Sequence, residues 1–208
     1  MKNSDYNYRE YENDLSAINR NASVSPESFI RQVEKEYRES LEQAACFLER
    51  RTGDIRIVML AGPSSSGKTT TARNLMEILR QMGLYSIDVS LDDFYKTREN
   101  SPVLPDGRPD FESPEALDIP QIDRCLLDLM QHHRSDLPIF DFSTHMPSVK
   151  RRHIELPEHS VVIVEGLHAL NPIITRDLPE DSLLRVYLSV KQGIQDGERE
   201  VLSPNDTD

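Results

Sequence analysis

The sequence has little that would cross a membrane, staple a secreted fold or grip a polyanion. Its 208 residues include only two cysteines, Cys46 and Cys125, too few for a disulfide framework and not spaced as a redox or metal-binding pair. Both read as buried thiols. Apolar runs such as Val161 to Val164 fall far short of the roughly 18 residues of a spanning helix, and the N-terminus lacks the apolar core of a signal peptide. A cytoplasmic globular protein with no membrane partner is the expectation. Basic charge is also scarce: 24 Lys and Arg stand against 36 Asp and Glu, a net charge of -12. That balance works against nucleic acid and anionic membranes, both of which reward a basic face. A small anionic ligand remains open, because backbone N–H groups can hold phosphate inside an acidic protein. There is no internal repeat or low-complexity tract.

What is present suits one sizeable core. Residues 1 to 24 mix Asn, Asp, Glu and Tyr without a period and read as a flexible or loosely docked polar arm. From the cap Ser25 and Pro26 a helix is expected over 25–51, with Phe29, Val33, Tyr37, Leu41, Ala45 and Leu48 on one face. Thr52-Gly53-Asp54 stops it, and residues 52–208 read as one domain. Within it, Ile55 to Leu60 suits a buried strand and Thr69 to Gln81 a helix carrying Ala72, Leu75, Met76 and Leu79. Tyr85 to Ser90 reads as a second strand. A loop over 98–114 then precedes a helix with Ile122, Leu126, Leu127 and Met130. After irregular sequence, Ser160 to Val164 and Leu183 to Val190 give two more strands. Strands alternating with helices predict an α/β fold whose parallel sheet is flanked by helices, with ligands at the carboxyl ends of the strands.

The strongest signal is Gly62-Pro63-Ser64-Ser65-Ser66-Gly67-Lys68-Thr69, followed by Thr70. Its glycines let a loop curl around phosphate oxygens, its backbone N–H groups point inward, Lys68 can reach the β and γ phosphates, and the Thr69 hydroxyl can bind magnesium. The run lies between a predicted strand and a predicted helix, the context a P-loop requires. ATP with Mg²⁺ is therefore the expected ligand. The apolar strand ending in Glu165-Gly166 has the pattern of a Walker B strand, whose carboxylate assists the metal. No Asn-Lys-x-Asp run follows it, which argues against a GTP-dependent switch. Asp92 and Asp93 end the second strand and so share the sheet edge of the phosphate loop, where a carboxylate can take or orient the proton of an attacking hydroxyl.

These segments resemble the uridine kinase and phosphoribulokinase family of P-loop kinases, over about Ile55 to Val190. GPSSSGKTT looks like that family's phosphate loop and SLDDFYK (Ser90 to Lys96) like its strand-end motif, which implies Asp92 as the base. DFESPEALD (Asp110 to Asp118) is similar to the segment whose acid holds the ribose hydroxyls, and Glu112 stands at that place. FDFSTHMPSVKR (Phe140 to Arg151) resembles the acceptor-pocket segment, with Phe140 and His145 where the base is contacted; Phe140 stands where uridine kinases commonly have tyrosine. VEGLHALNP (Val164 to Pro172) adds to the likeness. The resemblance implies a kinase domain over 52–208 that phosphorylates a hydroxyl of a nucleoside-like small molecule; phosphoribulokinase-like or pantothenate-like acceptors, or a nucleotide-binding module with little catalysis, are the alternatives. It also implies lid arginines beyond Ser203-Pro204-Asn205-Asp206-Thr207, where the chain closes at Asp208, so the kinase domain reads as truncated before its lid and last strand. Lys150, Arg151 and Arg152 are candidates to compensate charge. A missing edge strand would favour a homo-oligomer.

Overall fold

The computed structural model describes residues 12–50, 55–189 and 193–203. The helix stop at 52–54, the first part of the arm, the last residue of the fourth predicted strand and the run 204–208 lie outside the described residues. Contacts group the chain into two units, Leu41–Leu188 and Met1–Ser40 with Ser189–Asp208.

The N-terminal extension is helical. Asp14 caps α1 (Leu15–Val24) by accepting the Ala17 N–H at 2.8 Å, which satisfies one of the orphan donors of a helix start. The stretch read as a polar arm thus contains a ten-residue helix. Pro26 opens α2 (Pro26–Glu49), where its missing N–H costs nothing. Only the C-terminal part of the predicted face is buried, through Leu41, Ala45 and Leu48, while Val33 stays exposed. Cys125 is buried as expected, but Cys46 is exposed. One residue past Ala45, its Cα–Cβ bond turns about 100° off the buried row.

The larger unit continues with β1 (Ile55–Ala61), α3 (Lys68–Gln81), β2 (Ser86–Ser90), α4 (Ile119–His132), β3 (Arg134–Leu137), β4 (Phe140–Asp141), β5 (Met146–Pro147), β6 (Arg152–Glu155), β7 (Ser160–Glu165), α5 (Pro172–Thr175) and β8 (Leu183–Tyr187). Four strands form a parallel sheet in the order β2-β7-β1-β8. Ile57 to Ala61 and Val161 to Val164 are buried throughout; strands covered on both faces read as unbroken apolar runs rather than as alternation. Asp118 caps α4 and Pro120 sits in its first turn. The helix lays Ile122, Leu126 and Leu129, all fully buried, into a core with Phe94, Val162 and Val164, where each such side chain contributes about 1.5–3 kcal/mol.

The stretch read as irregular holds two short antiparallel pairs, β3 with β6 and β4 with β5. At two to four residues each, they are too short to leave a periodic trace. Arg152 in β6 donates to the Asp88 carbonyl and lies 3.8 Å from the Asp88 carboxylate. It therefore occupies the outer side of β2, the end strand of the sheet. Lys150 and Arg151 are exposed.

In the smaller unit β9 (Ile194–Asp196) and β10 (Arg199–Leu202) form an antiparallel hairpin turning at Gly197, φ 61°. Gln195 bridges to Asp14, and the Ser16 hydroxyl donates to Asp196 at 3.3 Å. No helix among the described residues is long and apolar enough to cross a membrane.

Candidate functional site

Strand register brings the sequence motifs together. Glu165, the last residue of β7, is paired with Leu60 of β1 on one side and Ser90 of β2 on the other. The phosphate loop begins at Gly62, two residues after Leu60, and Asp92 lies two residues after Ser90. Loop, Glu165 and Asp92 thus rise from adjacent strands at one carboxyl edge, where parallel sheets take their ligands.

The loop between β1 and α3 is shaped by glycine. A Cβ on Gly62 would lie 2.5 Å from the Leu188 carbonyl oxygen and 2.7 Å from Ser66 Oγ, so nothing larger passes. Gly67 takes φ 87° and Ser65 φ 60°, the left-handed region that side chains resist. α3 starts directly after Gly67 with no side-chain cap, which leaves its first N–H groups and the positive end of its dipole facing the loop. Ser66 Oγ is buried without a partner. The Lys68 ammonium donates to the Gly62 and Pro63 carbonyls at 3.0 and 2.8 Å. The Thr69 hydroxyl lies 3.1 Å from both Glu165 carboxylate oxygens. Pro63, Ser64 and Thr70 complete the loop and first helical turn, with Ser64 and Thr70 exposed. An uncapped helix start, an orphaned hydroxyl and a glycine-lined concavity fit a phosphate chain, and a hydroxyl beside a carboxylate is a hard-oxygen pair that fits Mg²⁺.

Asp92 lies in a 3-10 turn, Leu91 to Phe94, opened by the Ser90 side chain. Although Asp92 is exposed, crowding by surrounding chain strips enough hydration to raise its carboxyl above the ordinary value; Lys68 opposes that shift, Asp93 adds to it, and His168 opposes it. Asp93 has turned the other way: its carboxylate accepts the Phe140 N–H at 3.1 Å. Gly166 makes this turn reachable, because a Cβ there would lie 2.8 Å from that of Leu91.

The SLDDFYK and DFESPEALD segments are stitched to one another. Tyr95 bridges Leu117, the Lys96 N–H donates to the Ala116 carbonyl, the Asp118 N–H to the Phe94 carbonyl, and the Lys96 ammonium to the Glu115 carbonyl. The Tyr95 hydroxyl donates to the Phe111 carbonyl at 3.2 Å, and its ring packs edgewise on Phe111 and Phe140 at 5.9 and 5.8 Å. Phe142 joins Phe140 at 5.1 Å. Burial raises the Tyr95 phenol, and the Asp92 and Glu112 carboxylates raise it further. Asp92, Glu112 and Phe140 thus all act on or pack against Tyr95. His145 sits in the exposed turn from β4 to β5 with φ 53°. Tyr95, Phe111, Phe142 and His168 were not singled out by sequence reasoning, although all four lie inside the motifs that were.

The sequence model described as Phosphoribulokinase / Uridine kinase family matches residues 57–195. A uridine kinase of Lactobacillus johnsonii is 31% identical over 122 residues, 59% of this chain and 56% of that protein. A uridine kinase of Schizosaccharomyces pombe is 35% identical over 56% of this chain and 25% of its own. The chain thus spans about half the length of the first and a quarter of the second. In fold it is similar to a Bacillus stearothermophilus structure described as a possible uridine kinase, with a TM-score of 0.59 at 22% identity over 74% of this chain and 79% of that one. With the family match covering most of the sheet and both strand-end motifs, the chain belongs to the phosphoribulokinase / uridine kinase family.

Proposed function

We propose that the protein is an ATP- and Mg²⁺-dependent kinase that transfers the γ-phosphoryl group to a hydroxyl of a neutral, nucleoside-like acceptor. The observation that carries this reading is the convergence of Lys68, the Thr69–Glu165 pair and Asp92 on one sheet edge. Residues 62–70 would hold the phosphates and Thr69 with Glu165 the metal, whose charge offsets that of the phosphates. Asp92 takes the acceptor's proton as its oxygen bonds to phosphorus and the bond to the leaving ADP oxygen breaks.

Charge favours a neutral acceptor. Asp92 and Glu112 both act on Tyr95, and the neighbouring Lys96 ammonium is engaged by the Glu115 carbonyl. A sugar phosphate or the carboxylate of pantothenate would meet two like charges there. The aromatic faces of Tyr95, Phe111, Phe140 and Phe142 suit a planar base, and Glu112 suits ribose hydroxyls. These features, and the absence of a spanning helix among the described residues, support a cytoplasmic nucleoside kinase.

The test is magnesium-dependent ADP release with nucleosides, sugar phosphates and pantothenate, using the chain and its Lys68→Ala variant. Nucleoside-dependent release that disappears in Lys68→Ala is expected. Turnover only with an anionic acceptor would overturn the substrate class, and ATP binding without turnover would favour a nucleotide-binding module.

A further inference from the structure

The back of the phosphate loop rests on a residue to which the reaction just described gives no part. Leu188 follows β8, and its N–H donates to the Ala61 carbonyl at 2.8 Å, one step beyond the rung that pairs Tyr187 with Ala61. Leu183 and Leu184, both buried, anchor that strand in the sheet. From this fixed place Leu188 meets both glycines of the loop. The Cβ that Gly62 lacks would stand 2.5 Å from the Leu188 carbonyl oxygen and 3.3 Å from the Leu188 Cβ, and the one that Gly67 lacks would stand 4.0 Å from its Cδ2. The buried Ser66 Oγ crowds the same point, 2.7 Å from the missing Gly62 Cβ. Gly62 and Ser66 are the buried residues of the loop between β1 and α3, whereas Ser64, Ser65 and Gly67 are exposed. Inside the loop the Ser66 N–H donates to the Pro63 carbonyl at a long 3.3 Å, and Leu188 adds a support from the sheet.

We propose that Leu188 is a positioning residue for the phosphate loop: its backbone and side chain fill the space behind Gly62 and Gly67 and hold the loop's N–H groups aimed at a phosphate chain. This rests on the reading of residues 62–70 as the phosphate-binding loop and is independent of which acceptor is phosphorylated. Glycine has the most permissive backbone and no side chain with which to lock itself, so the curl of a loop built on two glycines must be imposed by its neighbours. Binding groups need to be held to within about 0.5 Å of their productive places by packed residues behind them. Cutting Leu188 back to alanine leaves a gap that its surroundings close only in part, and the loop is then free to settle into it. The acceptor side is remote from this support, because β8 and β2, the strand that leads to Asp92, are the two end strands of the sheet.

The experiment measures equilibrium binding of ATP and of inorganic tripolyphosphate, each with magnesium, to the full chain and to its Leu188→Ala and Leu188→Met variants, well below every melting transition. In Leu188→Ala both ligands are expected to bind about tenfold more weakly, by a common factor, because the loop that both share is misplaced. Leu188→Met conserves the volume and should recover most of the affinity. The KM for the acceptor stays within about twofold of the parent value. A lower melting transition with both affinities unchanged makes Leu188 a packing residue and overturns the proposal. So does a loss for ATP alone, which would place Leu188 against the nucleoside rather than behind the phosphates. Lys68→Ala separates the two readings. If that variant loses tripolyphosphate while Leu188→Ala keeps it, only the proposal fails; if Lys68→Ala binds tripolyphosphate like the parent, residues 62–70 are not the phosphate site and both fail.

Discussion

The Asp93 carboxylate accepts the Phe140 N–H at 3.1 Å across 47 residues of sequence. That bond ties the turn bearing Asp92 to β4, the strand that carries Phe140. Removing it should loosen the proposed acceptor site while leaving the phosphate loop intact. In Asp93→Ala the KM for the acceptor is expected to rise about tenfold with the KM for ATP within about twofold, since losing a hydrogen bond to a charged group costs about 1.5–3 kcal/mol. Asp93→Asn keeps an acceptor oxygen and should recover most of the loss. Steady-state kinetics with each substrate varied in turn checks both.

Thr69 and Glu165 converge from different elements, α3 and β7. Thr69→Val keeps the shape and deletes the oxygen. Its expected effect is a higher magnesium requirement and a fall of about 100-fold in turnover, with residual metal-free nucleotide binding. Magnesium titrations of ADP release at fixed ATP measure it, and an unchanged magnesium dependence would remove Thr69 from the metal site.

Asp92 sits where its ionised form is disfavoured, mainly by lost hydration. A carboxyl whose folded value lies above its unfolded value contributes stability below the unfolded value, and loses it as pH rises through the folded one. At neutral pH the ionised Asp92 therefore works against the fold. Asp92→Asn should abolish turnover yet melt no lower than the parent at neutral pH, with the advantage vanishing in acid. Differential scanning calorimetry at several pH values checks this, and a clear neutral-pH loss would contradict it.

Gly166 has no room for a methyl group, since its Cβ would meet three side-chain atoms of Leu91 at 2.8 to 3.1 Å. Leu91 is itself 1% exposed and cannot swing into solvent. Gly166→Ala should cost about 1–3 kcal/mol, seen as a lower denaturation midpoint, and should lower kcat by displacing the turn that carries Asp92.

Much of the larger unit was legible because its signals are local and strong. β1 and β7 are unbroken apolar runs, and the glycine pattern after β1 admits few backbone shapes. The edge that collects the site follows from parallel pairing alone. What escaped depends on contacts distant in sequence. Phe140 and Tyr95 come together only because β4 folds back and Asp93 receives its N–H, which no period in 134–155 announces. Cys46 was misread because apolar character says little one residue off a buried row. α1 hides in polar sequence, betrayed only by a capping aspartate. Asp92 and Asp93 look alike in sequence, and their environments give them different partners.

The uncapped start of α3 has a thermodynamic consequence. Among the described residues, Asp14, Asp118 and Asn171 each accept a first-turn N–H of the helix they precede, but the helix after Gly67 begins without a side-chain cap. A bound phosphate chain would complete the helix in the way a side chain does elsewhere, so occupancy and folding are linked by mass action. Ligand at about 100 times its Kd would add about 2.7 kcal/mol to the stability of the native state. The resistance of the chain to unfolding would then track the nucleotide concentration around it, and its abundance would register that concentration whether or not a phosphoryl group is ever transferred.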